Sequence, residues 1–131
     1  MGELTLVGES DIEGLAGVLI WTDAGRYDAM RSFYIETLGL TLRSDRAGFV
    51  NFAWGTQRLS VSVHLGVSGT ARDSLRIMVN FDVRDIQAVY ARLSGLGVAF
   101  SRAPEREEWG GWVATFADPD GNTLQLLQLP G

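Results

Sequence analysis

The chain has 131 residues, 46% of them hydrophobic, which suits one domain with its own core rather than two. With 16 acidic residues against 11 basic ones and a formal charge of −5, there is no cationic surplus to neutralise phosphates, so no nucleic-acid partner is expected. The absence of cysteine excludes a disulfide framework, a thiol nucleophile and a zinc knuckle, and is compatible with a reducing compartment. The first ten residues carry Glu3 and Glu9 without a basic start or a sustained apolar run, unlike a signal peptide, and no stretch has the length of a membrane span. A cytoplasmic protein with no membrane partner is expected.

The run from Glu13 to Thr22 is apolar and β-rich, which predicts a strand closed by Asp23 and Gly25. Tyr27, Met30, Phe33, Tyr34 and Leu38 then recur at three- and four-residue steps, predicting a helix from Arg26 to Leu38 that Gly39 ends. Short strands are expected at Leu40–Ser44, Phe49–Trp54 and Arg58–Leu65, and the polar, glycine-containing Gly66–Asp73 reads as a linker. The pattern restarts with a strand at Leu75–Val83. Asp85 is placed to cap a helix carrying Ile86, Val89, Tyr90, Leu93 and Leu96 on one face, closed by Gly97. Strands follow at Val98–Ser101, Gly111–Phe116 and Thr123–Leu129, the last two joined by Asp118-Pro119-Asp120-Gly121-Asn122, in which Pro presets the turn and Gly accepts a left-handed backbone.

The chain therefore divides into two copies of one βαβββ unit, at about 13–65 and 74–129 around a linker at about 66–73. This makes one α+β domain. Alternation within the strands assigns their faces. Leu59, Val61, Val63 and Leu65 lie opposite Ser60, Ser62 and His64; Ile77, Val79, Phe81 and Val83 lie opposite Met78, Asn80 and Asp82; Leu124 and Leu126 lie opposite Thr123 and Gln125. The two amphipathic helices are the natural cover for the apolar faces. The polar faces then line either a pocket or an ordinary solvated sheet surface; periodicity leaves both open.

The repeated plan, Phe33-Tyr34 followed by Leu38-Gly39-Leu40, and Trp109-Gly110-Gly111 followed by Phe116-Ala117-Asp118-Pro119-Asp120-Gly121-Asn122 together resemble the vicinal-oxygen-chelate superfamily, the glyoxalase, bleomycin-resistance and extradiol-dioxygenase type. The likeness spans about Glu13 to Leu129. It implies two modules forming a cupped mixed sheet with helices on the convex side, commonly as a homodimer. Metal-dependent members hold a divalent ion on the concave face through His, Gln or Glu near the start of each module's first strand and Glu in its last. The matching positions here are Ala16, Ser60 or Ser62, Met78 and Gln125. Ala has no donor, a Met thioether is soft, and hydroxyls and amides bring no anionic charge, so no metal and no other cofactor is expected.

The resemblance then implies a metal-free protein that binds a small molecule in the concave groove. Trp54, Trp109 and Trp112 are candidate walls and Ser62, His64, Asn80, Asp82 and Gln125 candidate polar contacts, a combination suited to a planar or cationic ligand. Each Trp has a commoner use as core or interface filler, and the acidic run Glu105, Glu107 and Glu108, which could attract a basic ligand, is more commonly a solvated loop. The alternative is a lyase, isomerase or dioxygenase of the same superfamily using a rebuilt metal site or His64 or Asp82 as general base. A third reading is a vestigial cup filled by Met78, Leu127 and the tryptophans, with function on the dimer surface.

Overall fold

The computed structural model describes residues 10–131. The first module comprises strand β1 (Gly17–Thr22), helix α1 (Tyr27–Ser32) with a π-helical extension over Phe33–Thr37, and strands β2 (Leu42–Arg46), β3 (Phe49–Trp54) and β4 (Gln57–Val63). The second comprises β5 (Met78–Asp82), α2 (Ile86–Gly95), β6 (Arg102–Arg106), β7 (Trp112–Ala117) and β8 (Thr123–Gln128). Each module builds a four-stranded mixed sheet, in the orders β1-β4-β3-β2 and β5-β8-β7-β6. In both, the first strand sits at the edge, parallel to the last, and the remaining pairs are antiparallel. This is the expected α+β plan of two βαβββ units, with each module keeping its own sheet.

Local chemistry accounts for the helix ends. The Asp85 side chain accepts the backbone N–H of Ala88 at 3.1 Å and caps α2. Gly39 and Gly97 follow the helices with φ of 68° and 93°, a conformation that side chains with a Cβ resist. Leu38 N donates to Phe33 O at 2.8 Å across the widened π turn. That turn sets Phe33 against Phe116, with ring centroids 6.4 Å apart, while Tyr34 reaches Asp118.

Met30, Tyr34, Val50, Phe52, Leu59 and Val61 of the first module and Ile86, Leu93, Ala114, Phe116, Leu124 and Leu126 of the second form one continuous core. Both helices and the apolar faces of both sheets share it, so neither module buries its apolar face alone. Full burial of an aromatic such as Phe52 or Phe116 contributes about 1.5–3 kcal/mol.

Several boundaries depart from the sequence reading for one reason: apolarity marks burial, and burial does not require strand pairing. Val98 and Phe100 pack on the core outside any strand, and β6 begins only at Arg102. Leu65, Leu75 and Ile77 lie beyond the paired segments and are exposed. Leu96, expected on the apolar face of α2, is its C-cap residue and is 58% exposed, because the helical period ends before it.

A polar clasp joins the modules. Asp118 accepts Tyr34 Oη at 2.7 Å, the backbone N–H groups of Asp120 and Asn122 at 3.0 Å, and Asn122 Nδ2 at 2.9 Å. Asp120 accepts Thr22 Oγ1 at 2.6 Å and Arg26 Nε at 2.5 Å, and Arg26 Nη2 also donates to Pro119 O. Thr22, Tyr34, Asp118 and Asp120 are all buried, where each unpaired polar atom would cost about 1–3 kcal/mol.

Candidate functional site

With the apolar side of each sheet committed to the core, polar residues of the strands and aromatic ones such as Trp21 and Phe49 fall on the other side. On the first sheet, register sets Trp21, Ser62, Phe49 and Arg46 in one row across β1, β4, β3 and β2. Leu19, Ser60, Asn51 and Ser44 form the next row, with Ser44 Oγ bonded to Asn51 Oδ1 at 2.7 Å. On the second sheet, Asn80, Gln125 and Thr115 form one row and Asp82, Leu127 and Val113 the next. Gln125 Nε2 donates to Asn80 Oδ1 at 2.8 Å, pairing two neutral amides in the middle of that face.

The superfamily's divalent ion can be tested against these positions. On β1 the outward residues are Gly17, Leu19 and Trp21, and Ala16 lies exposed before the strand, so no choice of register offers a donor there. Their partners on β4 are Arg58, Ser60 and Ser62, and Ser62 Oγ donates to Gly48 O at 3.3 Å. On the second sheet Met78, 40% exposed, opens β5 and the amide pair follows. Among the described residues, no three His, Cys, Asp or Glu side chains converge. A hard cation wants several oxygens with anionic charge among them; this donor set does not fit it.

The candidate residues are dispersed. His64 is exposed beyond β4. Its ring meets Trp21 edge-on with centroids 4.8 Å apart, and its Nδ1 accepts Gly66 N–H at 2.9 Å. In the neutral ring the proton then sits on Nε2, leaving no free basic nitrogen in this geometry. Trp112 is half-buried against the core rather than on the outward face. Trp109 is exposed in the turn before β7, its ring covering Gly111, where an added Cβ would meet it at 1.9 Å. Ser62 and Gln125 occupy outward positions on different sheets.

Trp54, Asn80 and Asp82 border a groove of about 700 Å³ between the modules. Its walls are largely apolar, with Val18 and Leu59 from the first sheet, Val79, Phe81 and Leu126 from the second, and Leu93 from α2. Trp54 and Phe81 approach with ring centroids 6.3 Å apart. The groove opens where Leu15 and Ile77, 68% and 73% exposed, flank the edge strands. Sequence reasoning passed over Trp21, Phe49 and Arg46. Alternation with the buried Thr22 and Val50 marks Trp21 and Phe49 as outward, yet only the pairing of β1 and β3 with β4 aligns them.

Two βαβββ modules with these outward faces define a vicinal-oxygen-chelate domain. A family model for the Glyoxalase/Bleomycin resistance protein/Dioxygenase superfamily matches residues 24–126, and the chain belongs to that superfamily. It is 29% identical over 109 residues to a bleomycin resistance protein from Klebsiella pneumoniae, covering 78% of this chain and 83% of that one. Among solved structures it is similar to TnmS3, an antibiotic binding protein from Streptomyces sp. CB03234, with a TM-score of 0.73, 24% identity and coverage of 94% and 100%. It is also similar to a lactoylglutathione lyase from Agrobacterium tumefaciens, with a TM-score of 0.70, 18% identity and coverage of 91% and 96%. At these identities the two structural likenesses speak for the fold.

Proposed function

We propose that this protein binds a small organic molecule on the outward sheet faces without a metal ion, and that a second copy of the chain completes the site. The observation that carries this reading is the replacement of the superfamily's ionic donors by a neutral Asn80–Gln125 amide pair, with Met78 beside it and only apolar residues outward on β1. Lewis-acid stabilisation of an oxyanion needs a charged centre, whereas amides, hydroxyls and exposed aromatics are the equipment of a recognition surface. The relatives described as binding or conferring resistance to antibiotics support the same direction.

The second copy follows from the edges. Strands β1 and β5 each end a sheet, and Leu15, Leu19, Trp21, Ile77 and Met78 along them are 40% to 73% exposed. Edge strands of that character ask for cover. A homodimer provides it and sets one chain's first-sheet face against its partner's second-sheet face.

The engagement of His64 Nδ1 by Gly66 disfavours His64 as the general base of the alternative reading. The test is a thermal-shift screen of small organic molecules, antibiotics included, run in EDTA and again with manganese. A ligand at a hundred times its Kd stabilises the folded state by about 2.7 kcal/mol. Stabilisation by at least one compound, equal under both conditions, is expected; stabilisation that appears only with manganese would overturn the reading.

A further inference from the structure

We propose that the bond between Asp120 and Gly121 is a latent isomerisation site, kept unreacted in the folded chain because Thr22 and Arg26 of the first module hold the Asp120 carboxylate. Aspartyl isomerisation is an internal acylation. The backbone nitrogen of the next residue attacks the side-chain carboxyl carbon, and one carboxyl oxygen leaves as water. Water then opens the resulting five-membered imide at its α-carbonyl, so that the chain continues through Cβ and Cγ and a free α-carboxylate remains. One water is lost and one regained, and no cofactor or oxidant takes part. Glycine in the second position favours the attack because no Cβ shields its nitrogen. Asp120 is the one aspartate in the sequence that is followed by glycine, and no asparagine is.

Both reacting groups are engaged elsewhere. Asp120 Oδ1 accepts Arg26 Nε at 2.5 Å and Oδ2 accepts Thr22 Oγ1 at 2.6 Å. Neither oxygen can leave, and the carboxyl cannot turn towards Gly121, without breaking a bond to the first module. The Gly121 N–H is donated to Asp118 O at 2.9 Å. The Asp120 backbone is tied as well, its N–H to Asp118 Oδ1 at 3.0 Å and its carbonyl to Ala71 N at 2.7 Å. Asp120 is also 3% exposed, which keeps the hydrolytic water away. The reaction therefore runs through an opened clasp, at a rate set by how often Thr22 and Arg26 let go. The extra backbone carbon and the relocated carboxylate of the product cannot restore these contacts, so each event leaves the two modules unfastened at this end.

The experiment follows isoaspartate in the full-length protein at neutral pH, well below its melting temperature, by electron-transfer fragmentation of the tryptic peptide of residues 107–131. In urea above the unfolding transition, isoaspartate should accumulate at residue 120 ahead of every other aspartate. In the folded wild type it should form about a hundredfold more slowly. Arg26→Gln and Thr22→Val should each raise the folded-state rate about tenfold. Both should exceed Leu93→Ala, a core variant in α2 that loosens the fold without removing a clasp bond. Should Arg26→Gln fail to fold, Thr22→Val, which keeps the side-chain shape, makes the same comparison. Similar rates in the folded and unfolded wild type would overturn the proposal. So would an equal acceleration by Leu93→Ala at matched melting temperature, or no isoaspartate at residue 120 even in urea.

Discussion

At one end of the seam between the modules, Thr22, Arg26 and Tyr34 are joined to Asp118 and Asp120 by short hydrogen bonds in a buried environment. At the other, β1 and β5 lie at sheet edges beside an apolar groove flanked by the exposed Leu15 and Ile77. The contrast separates two kinds of specification. Directional polar bonds that are fully satisfied fix how the modules sit within one chain. An apolar surface without a partner fixes nothing by itself and leaves the chain something to bind.

The shared core is where the contrast breaks first. Phe116 contacts Phe33 of the first module and Phe100 of the second, so Phe116→Ala should cost about 3–5 kcal/mol in urea unfolding. The unfolding should stay a single transition, since one core serves both modules; two separate transitions would show that the modules do not share it.

The clasp comes next. Tyr34→Phe leaves the buried Asp118 short of a donor and should cost about 1–3 kcal/mol. Tyr27→Phe should cost nothing, because the buried Tyr27 hydroxyl has no partner among the described residues. Equal losses in the two variants would mean that the clasp contributes no more than an unpaired hydroxyl.

The clasp also has a pH signature. Burial pushes the Asp118 carboxyl above its ordinary 3.8, against hydrogen bonds from Tyr34 and Asn122 that pull it down. The folded state therefore takes up this proton before the unfolded state as pH falls. Relative to Asp118→Asn, the wild type should gain stability as pH drops from about 7 towards 4, and lose that gain as pH rises through the raised folded value. A difference between the two that does not vary with pH would remove Asp118 from the account. Burial likewise holds the Tyr34 hydroxyl protonated well above its usual 10.0, so alkali should unfold the wild type more readily than its Tyr34→Phe variant, each measured against its own neutral-pH stability.

The open end should show the smallest effect on the chain itself. Ile77→Ser should change unfolding free energy at low protein concentration by about 0.5 kcal/mol or less, and sedimentation should report the proposed dimer shifted towards monomer. A large loss of stability without any change in mass would place Ile77 in the chain's own packing.

Much of this architecture was legible in the sequence because its signals are local. Asp85, Gly39 and Gly97 mark helix ends through chemistry that operates over a few residues, and the alternation from Leu59 to Val63 gave the correct faces. The Asp118 to Asn122 segment read correctly as a turn, but nothing local shows that its two carboxylates reach Thr22, Arg26 and Tyr34, between 84 and 98 residues away in the chain. The same limit hid the row of Trp21, Ser62, Phe49 and Arg46, since facing direction follows from alternation while adjacency follows from strand pairing. Trp112 shows the converse: an exposed wall and a core-packed ring have the same sequence signature until β7 is placed in its sheet.

The central claim is that the superfamily's ion has no seat in this protein. It is tested most directly by dialysing EDTA-treated protein against manganese, nickel and zinc, then measuring bound metal by mass spectrometry alongside the melting temperature. Well under one equivalent of each metal and no change in melting temperature are expected. One equivalent retained, with a rise in melting temperature that Gln125→Ala removes, would contradict it.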